Sequence, residues 1–317
     1  MTAAGPELTF RQAAGEADAV AASRIIDAAL DDLLVKRGRP PLEDGAKQGA
    51  ADEAAPALAH LMRTDPGAFR IAADADDRPV GFGAGMSRPG LWFCSGLFVL
   101  PAYQGKGLGR RLFELAKGQH PLSGDVAALT SSAANPISNR LYASHGIYPQ
   151  VPLLSMTGSP GAAGNLGTLD AEPLTPSPSH LAELAEIDAG VTGVDRTVDH
   201  RWHLGQAGHA GWLFRRRERA VGYAYLGGDG TEGAGAVGPI ATLRAADQDP
   251  VLRFILADLA ARRPGEQALV MVPGPNQHAQ QLLWQAGFRF EDSAGLLCAS
   301  RPFGRFDRYL LAGDCLM

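Results

Sequence analysis

Three glycines at alternate positions, Gly105, Gly107 and Gly109, are interleaved with Lys106 and followed by Arg110 and Arg111. Upstream, Leu91 to Leu100 is apolar or small and rich in strand formers; downstream, Leu108 to Lys117 has helical spacing. The sequence predicts a strand, a tight turn and a helix. At such a turn glycine lets main chain approach a ligand closely, and the first N–H groups of the helix point outward with the positive end of the dipole behind them. Its natural guest is an anion such as a diphosphate. A second group, Asn135, Leu141, Tyr142 and Gly146, places an amide and a phenol on one short helix.

The spacing separates three ligand classes. A nucleoside triphosphate loop needs Ser or Thr after its Lys, but Lys106 is followed by Gly107. A dinucleotide fingerprint needs glycine where Arg110 stands and an acid closing the next strand, whereas Asp125 opens it. What fits is Gln104-x-x-Gly107-x-Gly109 after a strand ending Phe98-Val99-Leu100-Pro101. This resembles the acyl-CoA signature of the GNAT superfamily of N-acyltransferases, and Asn135 to Gly146 resembles that family's second motif.

The resemblance implies acetyl-CoA as cosubstrate and no metal. It implies that Gln104, Gly105, Lys106, Gly107, Leu108, Gly109 and Arg110 wrap the CoA diphosphate. Main-chain groups of Leu97, Phe98 and Val99 would pair with the pantetheine and supply donors to the oxyanion, Asn135 would bond the pantetheine, and Tyr142 would serve the leaving thiolate. No general base stands out. Asp27, Asp31, Asp32 and Glu43 are candidates, a water chain is another, and the central strand offers only Cys94 and Ser95. Asp199, His200 and His203 beside Trp202 have a spacing that can hold zinc, but no convincing further ligand set accompanies them, and core packing or a domain contact is the expectation.

The chain has 317 residues, enough for two domains, with net charge −5 and pI about 5.9. The longest basic run, Arg215–Arg217, argues against a nucleic-acid partner, and no apolar run approaches the ~18 residues of a membrane span. No signal peptide is evident at the start of the sequence, and three cysteines without metal spacing, Cys94, Cys298 and Cys315, suit reduced thiols in a cytoplasm.

Taken in order, the sequence predicts a strand at 8–13, helices at 16–34 and 54–62, a hairpin at 69–86, the central strand, the loop and its helix, a strand at 125–130, the Asn135 helix and a closing strand at 152–156. Gly158–Gly167 is linker-like, and the same plan then repeats: Asn276 is followed by Gly287 as Asn135 is by Gly146. The fold class is therefore α/β (α+β), two tandem copies each with a mostly antiparallel sheet flanked by helices: 1–157 binding acetyl-CoA and catalytic, 158–167 a linker, 168–317 degenerate. In the second copy the loop is ATLRAADQDP, with Asp247 and Asp249 facing where an anion would sit and Leu283 where Tyr142 stands. The leading expectation is an N-acetyltransferase acting on a small-molecule amine. A protein amine as acceptor, a non-catalytic acyl-CoA sensor and assembly as a homodimer stay open.

Overall fold

The computed structural model describes residues 8–41, 55–160, 167–227, 235–313 and 316. Glu43, Cys315 and the middle of the expected linker, 161–166, lie outside them. The chain forms two compact units, one made of 1–87 with 92–124, the other of 88–91 with 125–317.

The first unit opens with β1 (Thr9–Gln12) and α1 (Gly15–Lys36). The start of α1 is held by Asp18, which accepts from the Ala14 N–H at 2.8 Å and from Arg11 at 2.6 and 2.9 Å. Helix α2 (55–64), β2 (Phe69–Ala73), β3 (Pro79–Arg88), β4 (Leu91–Val99) and α3 (Leu108–Lys117) follow. β1 pairs antiparallel with β2, and β2 with β3. Helix α3 packs on β3 through Gly81, Gly83 and Gly85; a Cβ at Gly83 would stand 2.8 Å from the Leu112 carbonyl oxygen. That approach seats Leu108 and Leu112 against Val80 and Val99. On the opposite face, Phe82 stacks between Phe69 at 5.5 Å and Phe98 at 5.7 Å.

The second unit holds β5 (Val126–Ser132), α4 (Pro136–Ala143), β6 (Tyr148–Gly158), β7 (Asp170–Pro173), α5 (Pro178–Val191), α6 (Thr197–Gly205), β8 (Ala210–Arg216), β9 (Arg219–Leu226), β10 (Gly235–Thr242), α7 (Gln248–Arg262), β11 (Ala268–Pro273), α8 (Gln277–Gln285), β12 (Arg289–Ala299) and β13 (Tyr309–Leu310). Its strand order is β5-β12-β6-β11-β10-β9-β8-β7, with β13 on β10. β10 and β11 run parallel, whereas β5–β12, β12–β6, β6–β11, β7–β8, β8–β9 and β9–β10 are antiparallel. Each repeat's last strand has changed places: β6 of the first pairs with β11 of the second, and β12 of the second pairs with β5 of the first. Met156 of β6 accordingly lies in the core that contains Ile240, Val251, Leu256 and Val270 of the second repeat.

The repeat is exact at the helix ends. Asn135 Oδ1 accepts from the Ser138 N–H at 3.2 Å and Asn276 Oδ1 from the Ala279 N–H at 3.1 Å, the N-cap interaction in both copies. Gly146 (φ +77) and Gly287 (φ +86) then close α4 and α8 in the left-handed conformation.

The tip of the β3–β4 hairpin, 88–91, belongs to the second unit, where Arg88 makes a two-point ion pair with Asp199 of α6 at 2.6 and 2.8 Å, both side chains buried. Breaking such a pair leaves one charge uncompensated in a medium that solvates it poorly. Asp199→Ala is therefore expected to cost about 3–5 kcal/mol of unfolding free energy in urea titrations. Arg88→Met combined with Asp199→Leu should recover most of it, and an equal loss in the double variant would contradict this reading.

Candidate active site

The predicted strand, turn and helix are present at β4, the glycine turn and α3, with one feature the sequence did not announce. Trp92 lies on the α3 face of β4, edge-on to Phe113 at 5.6 Å. Strict alternation would put Gly96 and Phe98 on that face too. Instead a Cβ at Gly96 would meet Phe82 at 2.8 Å, and Phe98 stacks on Phe82, while Val99 packs on Leu112. The side-to-side period of β4 therefore slips between Trp92 and Gly96, as an inserted residue makes it do, and strands that slip in this way bend. Ser95, at the slip, is buried with its hydroxyl unpartnered among the described residues. Cys94 is buried too, and desolvation pushes its thiol up to about 12, so it stays protonated.

After β4 a 3-10 turn, Pro101–Tyr103, leads into the glycines. Gly105 (φ +76) and Gly107 (φ +82) occupy the left-handed region that residues with a Cβ avoid, and Gly107 is the N-cap of α3. The first helical bond runs from the Arg111 N–H to the Gly107 carbonyl at 3.1 Å. Among the described residues the main-chain N–H groups of Gly105, Lys106, Gly107, Leu108, Gly109 and Arg110 have no acceptor. Unpaired main-chain donors thus cluster at one turn at the positive end of a helix, a setting whose charge suits an anion. Lys106, Arg110 and Arg111 are exposed around it; the Lys106 ammonium lies over the Tyr103 ring at 5.9 Å, and Arg111 over Phe10 at 6.0 Å.

Gln104 does not present its side chain beside those donors. Its Nε2 donates to the Val99 carbonyl at 2.9 Å and its Oε1 faces Lys36 at 3.4 Å, so it clips the turn back onto β4. The Val99 carbonyl is thereby committed, leaving Leu97 and Phe98, both half-buried, as the better-placed part of the expected pantetheine edge. Gln104→Ala should release the clip without removing a donor. The expected result is a roughly tenfold weaker Kd for CoA by calorimetry, equivalent to one hydrogen bond's net worth; an unchanged Kd would show that the turn needs no such support.

In the second unit, Asn135 is half-buried with its Oδ1 used as the cap of α4, and Tyr142 is buried on the same helix. A second amide not singled out from sequence, Asn139, accepts from the Ser131 hydroxyl at 2.8 Å and donates to the Ser132 carbonyl at 3.1 Å, fixing α4 to the end of β5. Among the candidate bases, Asp32 is paired with Lys36 at 2.5 Å, and Asp27 and Asp31 are half-buried on α1.

The corresponding turn of the second repeat, between β10 and α7, is built differently. Asp247 is fully buried at the amino end of α7 and pairs with Arg216. A carboxylate thus stands at the N-cap of α7, where the first repeat has Gly107 at the N-cap of α3. Leu283, at the position matching Tyr142, is buried core.

His200 and His203 are core residues, as expected. Asp188 accepts from Tyr223 Oη at 2.6 Å and faces His200 Nε2 at 2.9 Å, and Tyr225 Oη lies 2.9 Å from His200 Nδ1. The ring of His200 is thus held at both nitrogens, between Asp188 and the Tyr225 hydroxyl. Among the described residues, one cluster has metal-type ligand atoms mutually within 4.8 Å: Glu172, His180 and Glu183. Arg215 donates to both of its carboxylates at 2.7 to 2.9 Å and holds Glu172 below the usual carboxylate range, supplying the positive charge itself. No described helix is long and apolar enough to cross a membrane.

Residues 36–147 match the family model described as Acetyltransferase (GNAT) family. A search of curated proteins returns no match. Among solved structures, the chain is similar to a putative acetyltransferase from Pyrococcus horikoshii, with TM-score 0.68 and 17% identity over 97% of this chain and 95% of that one. It is also similar to a GCN5-related N-acetyltransferase from Sphaerobacter thermophilus, with TM-score 0.60 and 17% identity over 95% and 98% of the two chains. A tandem GNAT protein from the clavulanic acid biosynthesis pathway aligns at TM-score 0.57 and 13% identity over 93% and 99%. At these identities the likeness is one of fold, and it extends over both repeats.

Proposed function

We propose, for an acyltransferase of tandem build that carries a GNAT acetyltransferase domain over residues 36–147, that it transfers acetyl from acetyl-CoA to the amine of a small molecule. The observation that carries the reading is the set of six main-chain donors from Gly105 to Arg110 with no acceptor, at the start of α3, where a Cβ on Gly105 or Gly107 would meet nothing within 4 Å. Diphosphate is the part of acetyl-CoA whose charge and oxygen count suit such a turn. Lys106, Arg110 and Arg111 are the side chains available to its phosphates.

In this reading a neutral amine attacks the thioester carbonyl carbon, forming the C–N bond and placing negative charge on the carbonyl oxygen. Main-chain N–H groups along Leu97 to Val99 receive that charge. As the tetrahedral centre collapses, the C–S bond breaks and the electron pair leaves on sulfur. Tyr142 gives its phenolic proton to that thiolate, and the proton lost from nitrogen passes to solvent or to a carboxylate of α1. The second repeat, with Asp247 at the N-cap of α7, takes no nucleotide.

The reading is tested by free thiol release from acetyl-CoA against a panel of primary amines and amine-bearing peptides. Turnover with small amines and none with peptides supports it; turnover only on peptides moves the acceptor to a protein amine. Tight acetyl-CoA binding with no turnover on any amine makes the protein an acyl-CoA sensor.

A further inference from the structure

One pair of equivalent bonds sets the two repeats in register. The Leu100 N–H donates to the Val80 carbonyl at 2.9 Å and the Leu243 N–H to the Val221 carbonyl at 2.8 Å, each just past the end of a central strand. Leu97, Phe98 and Val99 of β4 therefore correspond to Ile240, Ala241 and Thr242 of β10, as Asn135 does to Asn276. The pairing of β10 with β9 is irregular between Val237 and Ile240, near the counterpart of the slip in β4. Before that irregularity β10 pairs with β11, at Gly235 and Ala236; after it the partner is β13, with Ile240 opposite Leu310 and Ala241 opposite Tyr309.

Ile240, Ala241 and Thr242 are fully buried, so their main-chain groups need partners within the protein. One side of the strand is met by β9 and the other by residues 308–310. The Thr242 N–H donates to the Arg308 carbonyl at 3.2 Å. Asn276, whose Oδ1 caps α8, donates from Nδ2 to the Tyr309 carbonyl at 3.3 Å. The Arg308 guanidinium reaches the Leu243 carbonyl, and a Cβ at Gly238 would collide with the Leu311 carbonyl oxygen, so glycine is what lets the segment lie so close. Its side chains are anchors: Tyr309 and Leu310 are fully buried, Phe306 is buried beside the Tyr309 ring, and the Tyr309 hydroxyl meets Arg196. Main-chain pairing along a strand edge with side chains sunk on either side is how proteins bind extended peptides.

We propose that the cleft of the second repeat is a receptor for an extended polypeptide strand, and that its resident occupant is the chain's own segment 305–311. The comparison with the first repeat rests on the function proposed above, in which Leu97 to Val99 and Asn135 hold the pantetheine arm. At the matching places in the second repeat, a peptide amide stands where that arm would. An acyl-CoA entering there would have to displace a paired strand as well as face the Asp247 carboxylate.

The test cuts the full chain after it has folded. A site for a sequence-specific protease is inserted between Arg301 and Pro302, both exposed, and the cut chain is passed through gel filtration with a labelled synthetic peptide of the sequence Pro302–Gly313. The piece from Pro302 onward should stay with the body, and the labelled peptide should exchange into its place saturably. The same peptide carrying Leu310→Pro, which lacks an N–H at a paired position, should compete on the order of 100-fold less well. Loss of the piece or unfolding on cutting would overturn the assignment, as would retention that no excess of peptide exchanges, or equal competition by the two peptides. No nucleotide is present, so failure here leaves acetyl transfer untouched, and failure of CoA to bind the first repeat leaves the strand receptor standing.

Discussion

Gly107→Glu is expected to abolish CoA binding, with affinity reduced more than about 100-fold by calorimetry, while the chain keeps its fold. Two effects add. Gly107 sits at φ +82, where a side chain carries a backbone penalty of about 1–2 kcal/mol, and it is the N-cap of α3. A Cβ there meets nothing within 4 Å, so the new side chain projects into the open space before the six N–H groups and brings its carboxylate to the place assigned to the diphosphate. Gly107→Ala separates the two, since it retains the strain and lacks the charge. It should weaken CoA by about tenfold or less. Equal affinities for wild type and Gly107→Glu would remove the turn from the nucleotide site.

Tyr142→Phe should lower kcat on the order of 100-fold or more, with the KM for acetyl-CoA unchanged. The ring is buried on α4, so phenylalanine preserves the packing and takes away only the hydroxyl. Because the hydroxyl acts when sulfur departs, its loss should fall on the chemical step and not on nucleotide affinity. Thioesters with a more acidic leaving thiol should recover part of the rate. An unaltered kcat would mean that the thiolate leaves without protonation by this residue.

The parts of this molecule that were legible in its sequence are those whose signals are local. The β2–β3 hairpin, the β4–turn–α3 unit and the two capped helices at Asn135 and Asn276 are written in short runs of apolar periodicity and in Gly and Asn at helix ends. The glycine turn was legible for the same reason, because positive φ at Gly105 and Gly107 restricts residue type directly. What escaped depends on partners remote in the chain. The exchange of β6 and β12 between the repeats leaves no local trace, since each strand alternates equally well beside either neighbour. The partners of helix α6 are not legible in the sequence because its inward face carries charge: Asp199 finds its partner at Arg88, 111 residues away, and His200 finds Tyr225 on β9. The side-chain amide of Gln104 reaches back to Val99, a contact that the spacing of the glycines does not announce.

In the proposed function the first repeat holds the nucleotide on bare main chain, and the second, with Asp247 at the N-cap of α7, holds none. A crystal structure of the full chain with CoA tests it most directly. One CoA per chain is expected, its diphosphate oxygens accepting from the N–H groups between Gly105 and Arg110. Diphosphate seated at the turn between β10 and α7, with the Asp247–Arg216 pair displaced, would contradict it.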